Sequence, residues 1–141
     1  MRRQIAVLVA GLALTSAACG GDSSGPTSIA GTYTLRTVNN SSLPFITSQD
    51  ETFKAEILSW VVTVNDNGTY SYVFQGRSTD NGVATVNTIV ANGTYTVSGS
   101  TVELFDPADD STLTGTLNGN SITFVVDATP VGVFTLQFVR S

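Results

Sequence analysis

The chain has 141 residues, of which 41% are hydrophobic and 12% charged, and its formal net charge is −5. An acidic chain of this kind is excluded from nucleic acid and from electrostatic attraction to anionic lipid. It holds no histidine and one cysteine, which removes His-assisted nucleophiles, His metal ligands and any disulfide within the monomer.

The first segment sets the compartment. Arg2 and Arg3 form a positive start, residues 5–14 are an apolar run, and Thr15-Ser16-Ala17-Ala18 follows as a small-residue stretch. This layout is that of a cleavable secretory signal, and a membrane span would need about twice that apolar length. Ser16-Ala17-Ala18-Cys19 resembles the lipobox of bacterial lipoproteins, which implies that Cys19 is lipidated and becomes the mature N-terminus. Residues 1–18 are then the signal peptide, and residues 19–29 are the lipidated Cys and a Gly/Ser-rich tether. Residues 30–141 form one domain, since roughly 120 residues are too few for two. Removing Arg2 and Arg3 leaves four basic residues against eleven acidic ones, a mature charge of −7. Gly20 is not the Asp that holds lipoproteins at the inner membrane in some bacteria. The expected location is therefore the cell envelope, at the outer membrane if the host is Gram-negative.

From Gly31 onward the pattern is that of strands. Val, Thr, Ile, Tyr and Phe recur in alternation between Asn-Gly, Asp-Asn-Gly and Ser-Gly turns. About eight strands are expected, at 32–38, 52–64, 69–79, 83–97, 101–105, 112–117, 121–127 and 133–140. Interruptions near Ser59 and Ala91 are allowed for. Only residues 39–50 make a long connection, and Leu43, Pro44 and Phe45 within it indicate a segment folded onto the domain. Short turns favour antiparallel neighbours, so the simplest architecture is all-β, a single up-and-down barrel. A β-sandwich is the alternative. Tyr70, Tyr72 and Phe74 share one strand face, as do Ile122, Phe124 and Val126, and Phe134, Leu136 and Phe138. With Tyr33, Leu35, Val62, Val64, Tyr95 and Val102 they are the expected interior. Closing the barrel pairs the first and last strands antiparallel, which brings Tyr33 close to Arg140.

A second resemblance spans the mature chain. Gly31-Thr32-Tyr33-Thr34-Leu35, Leu43-Pro44-Phe45, Glu56-Ile57-Leu58-Ser59, Asn67-Gly68-Thr69-Tyr70 and the ending Phe138-Val139-Arg140 resemble the lipocalin-like domain of small bacterial lipoproteins. The resemblance implies a calycin-type barrel able to take a small apolar ligand. Lipocalins place an Arg over the Trp of an opening Gly-x-Trp motif, and Tyr33 with Arg140 are the matching positions here.

Catalytic chemistry is sparse, and no enzyme activity is expected. Glu56 and Glu103 read as exposed strand positions, and Asp106 to Asp110 as a solvated turn lacking the spacing of an EF-hand. No cofactor or metal is implied. Two functions remain. One is a binding barrel lined by Tyr70, Tyr72, Phe74, Phe124 and Phe134. The other is a structural or protein-interaction module of the envelope with a filled barrel. The implied partners are the membrane through Cys19, a small hydrophobic ligand and envelope proteins. An interior volume above about 300 Å³ discriminates in favour of binding.

Overall fold

The structure is a computed structural model that describes residues 28–141. The expected signal peptide and Cys19 lie outside the described residues. Ten strands follow in chain order: β1 (Gly31–Val38), β2 (Ser41–Ser42), β3 (Phe45–Gln49), β4 (Phe53–Val64), β5 (Thr69–Asp80), β6 (Val83–Ser98), β7 (Thr101–Asp106), β8 (Ser111–Asn118), β9 (Ser121–Asp127) and β10 (Val133–Arg140). Tight turns set the order. Asn81 and Gly82 both take positive φ, 47° and 82°, as a two-residue hairpin between β5 and β6 requires. Asn39 and Asn40 do the same between β1 and β2, at 50° and 63°.

Every consecutive pair from β3 to β10 is antiparallel, and β1 pairs with both β10 and β4. Eight strands (β1 and β4 to β10) therefore close into a barrel, with β2 and β3 added outside the circuit. This is the expected lipocalin-like up-and-down barrel, and the sandwich alternative falls because the sheet closes on itself. The long first connection holds the two added strands, which the alternation of so short a stretch did not mark as strands.

Period-two alternation places the core. Tyr33, Leu35, Val62, Val64, Tyr70, Val102, Ile122, Phe124, Leu136 and Phe138 are all buried, as expected. Tyr72, Phe74, Tyr95, Val126 and Phe134 are partly buried against them. Each fully buried large apolar side chain contributes about 1.5–3 kcal/mol relative to exposure. Ile29, assigned to the tether from sequence, is a core residue at 4% exposure, so the packed domain begins earlier than residue 30.

The barrel wall is uneven. β6 pairs with β7 only from Thr94 onward, whereas it pairs with β5 along its whole upper length from Val83. Every residue from Val83 to Val90 is exposed. The start of β6, the end of β5, the start of β4 and β3 thus form a four-stranded flap that rises past the barrel.

Candidate functional site

The site begins with a register change in β4. Trp60 opposes Phe74, but Ile57 opposes Gly76, so Leu58 is the extra residue of a bulge. The bulge puts Trp60 and Ile57, three positions apart, on the same inner face. Trp60 then packs edge-to-face on Tyr72, Phe74 and Phe138 at centroid distances of 5.6, 5.3 and 5.6 Å. Phe138 meets Phe124 in the same way at 5.8 Å. Such pairs contribute about 0.5–1.5 kcal/mol each beyond burial. The indole Nε1 of Trp60 is buried without a hydrogen-bond partner.

Two cavities meet at this cluster, and Trp60 and Val126 line both. The first, of about 460 Å³, is a cleft between the inner face of the flap and the β9–β10 end. Ile57, Phe74, Gly76 and Ile89 form one side of it, and Val131, Phe134 and Leu136 the other. The second, of about 410 Å³, is the barrel interior, bounded by Val62, Tyr70, Tyr72, Leu104, Phe124 and Phe138. Its rim is polar, made of Asp106, Asp109, Ser111 and Thr112 from the β7–β8 turn. Both volumes fall in the range of small-molecule sites.

Glycines hold two of the rings in place. Tyr70 is the register partner of Gly93, and Phe124 that of Gly115. A Cβ on Gly93 would stand 2.9 Å from the Tyr70 ring and 2.0 Å from the Phe105 carbonyl oxygen. A Cβ on Gly115 would stand 2.5 Å from the Phe124 ring. Each ring therefore lies across bare backbone, which fixes its direction in the cavity wall.

Burial pushes the Tyr70 phenol up to about 12, with the Asp106 and Asp109 carboxylates adding to the shift. The Tyr72 phenol is raised by the same causes, burial first. At the opposite end Tyr33 and Arg140 are register partners. The Tyr33 hydroxyl donates to the Ile29 carbonyl at 2.8 Å, and Arg140 Nη1 donates to that of Ala30 at 3.4 Å. Burial raises the Tyr33 phenol, against the lowering influence of Arg140. The Arg140 stem lies so close to Gly31 that a Cβ there would meet its Cδ at 2.7 Å. These groups stopper the barrel beside the point where Ser28 bonds Asp66 and the chain enters.

The five expected lining residues divide between the cavities. Tyr70, Tyr72 and Phe124 face the interior, whereas Phe74 and Phe134 face the cleft. Sequence reasoning missed Trp60, which joins them. Its signal was weak, a lone tryptophan in a strand whose bulge hides the inward parity. Glu56 is a correction. It is not exposed but buried at 8%, because Arg77 Nε reaches its Oε2 at 2.7 Å and Lys54 its Oε1 at 3.4 Å. The Arg77 hydrogen bond holds the Glu56 carboxyl below its ordinary range. Among the described residues no three of His, Cys, Asp and Glu converge as a metal site.

Comparison with models of known families, with curated proteins and with solved structures found no match. The class of this protein is therefore defined by its architecture, a closed antiparallel eight-stranded barrel of lipocalin-like form.

Proposed function

We propose that the chain is an exported bacterial lipoprotein, anchored through Cys19, whose barrel binds a small apolar ligand. The observation that carries the binding reading is the pair of aromatic cavities meeting at Trp60, with volumes of about 460 and 410 Å³. A barrel packed solid with side chains would have no such space. The chain enters at the stoppered end beside Asp66, while the cleft lies toward the flap. A tether at Cys19 would thus join the domain at the end away from the cleft.

Two measurements test this reading. The acylated protein should partition into a detergent phase, and Cys19→Ser should leave unprocessed precursor. A product starting at Cys19 without added lipid mass would end the lipoprotein part. For binding, Trp60 is the chain's only tryptophan, so an apolar ligand entering either cavity should change its emission saturably. Native mass spectrometry of protein from its own host should also show a retained small molecule. Failure of both leaves the second reading, an envelope interaction module. One feature favours that reading, the edge of β6 from Val83 to Asn92, which carries no charge and pairs only with β5.

A further inference from the structure

We infer that the barrel interior selects an amphiphile with a cationic head. An alkylammonium group would sit at the Asp106–Asp109 rim, with its apolar body among Trp60, Phe124 and Phe138. This rests on the reading of the barrel as a ligand container and adds to it the sign of the ligand's charge.

Three features of the interior cavity point the same way. The first is charge. Its lining includes two carboxylates, Asp106 and Asp109, and no Lys or Arg. Neither carboxylate takes part in an ion pair among the described residues, where the salt bridges are those of Glu56. Each uses its Oδ1 to hold its own turn, Asp106 accepting from the Ala108 N–H and Asp109 from the N–H and hydroxyl of Ser111. Their Oδ2 atoms accept no hydrogen bond from any described residue, so one oxygen of each is left to face a ligand's positive charge.

The second is the aromatic wall. Trp60, Tyr70 and Tyr72 stand in the same cavity as the two carboxylates. The π-faces of Trp and Tyr attract ammonium groups, most strongly where water is excluded. The carboxylates act on these rings already, since they help to raise the phenols of Tyr70 and Tyr72. A cation entering the rim would meet both sources of negative potential at once.

The third is the contrast with the cleft, whose one lining cation is spent. Arg77 is committed to Glu56. An anionic head therefore meets two carboxylates at the interior rim and no free cation in the cleft lining. A neutral head gains no charge interaction at the rim and can only accept from the unpartnered Trp60 indole N–H. The interior is thus built to rank ligands by charge, with cations first.

The test uses the full chain in a neutral maltoside detergent, with three probes of one tail length: hexyltrimethylammonium, hexanol and hexyl sulfate. Trp60 emission is the readout. Hexyltrimethylammonium should bind at least about tenfold more tightly than hexanol, and hexyl sulfate most weakly. The double variant Asp106→Asn/Asp109→Asn keeps the Oδ1 acceptors and hence the turn. It should bring the affinity for hexyltrimethylammonium down to that for hexanol measured in the same variant. Glu51→Gln/Glu103→Gln removes the same charge from exposed positions outside the cavity and should leave the preference intact. Equal affinity for the cation and hexanol overturns the inference while the ligand container stands. So does a preference that falls equally in both double variants, because general negative charge would then explain it. No saturable response to any of the three probes overturns the container and the inference together.

Discussion

Phe124 lies against Gly115, its partner in the β8–β9 ladder, with the ring 2.5 Å from where a Cβ on that glycine would sit. The relationship is structural and functional at once. Phe124 is 2% exposed and belongs to the core, yet its ring also forms part of the barrel cavity wall. A strand glycine ordinarily costs about 0.5–1 kcal/mol relative to alanine. Here that cost is offset by the room it leaves for the ring.

Gly115→Ala should therefore destabilise the barrel by about 1–3 kcal/mol, the usual cost of overpacking. Urea unfolding measures it. Combining it with Phe124→Leu should recover part of the loss, because residues in contact are non-additive. A neutral or stabilising Gly115→Ala would mean that the ring does not lie on the glycine.

Neighbouring side chains on β9 test the face assignment. Phe124 points inward, whereas Val125 is 60% exposed on the outer face. Phe124→Ala should cost about 3–5 kcal/mol, and Val125→Ala no more than about 0.5 kcal/mol. Similar costs at the two positions would place both faces of β9 in a core, which a small barrel does not allow.

The contrast between these two residues also shows why the barrel was legible from sequence. Alternation such as Ile122, Phe124 and Val126 against Thr123 and Val125 is local, and so are Asn-Gly turns. Strand bounds and closure followed from those two signals. The flap did not follow, because nothing in Val83–Val90 reveals that β7 ends at Asp106 and leaves this part of β6 paired with β5 alone. That is a relation between distant elements. Trp60 escaped for a different reason, since the bulge at Leu58 breaks the period that would have marked it as inward. Glu56 escaped because its burial depends on Arg77, 21 residues away. Parity and turns are written locally, while partners and cavities arise only on closure.

Closure has its own energetic signature at the stoppered end. The Tyr33 hydroxyl is buried and donates to the Ile29 carbonyl, whereas the Tyr95 hydroxyl donates to the Asn65 carbonyl at an exposed position. Tyr33→Phe leaves a buried acceptor unsatisfied and should cost about 1–3 kcal/mol. Tyr95→Phe lets water replace the lost donor and should cost less than about 1 kcal/mol. Denaturant midpoints of the two variants give the comparison, and the reverse order would contradict the stopper.

Alkaline titration reads the interior directly. Tyr70 has a folded pKa of about 12 against an ordinary value of 10.0, chiefly because it is buried. A raised phenol pKa means that the fold prefers the protonated form. The associated stability is complete below pH 10 and is lost as pH rises from 10 to about 12, because the unfolded chain ionises first. At about 1.36 kcal/mol per unit, the loss across that window is about 3 kcal/mol. In phenolate absorbance the native protein should show a component near pH 12 that Tyr70→Phe removes and urea moves to about pH 10. Asp106→Asn should lower that component without returning it to 10, because burial outranks the carboxylate among the causes. A Tyr70 component already at 10 in the folded protein would mean that the ring stands in water and the cavity wall is open.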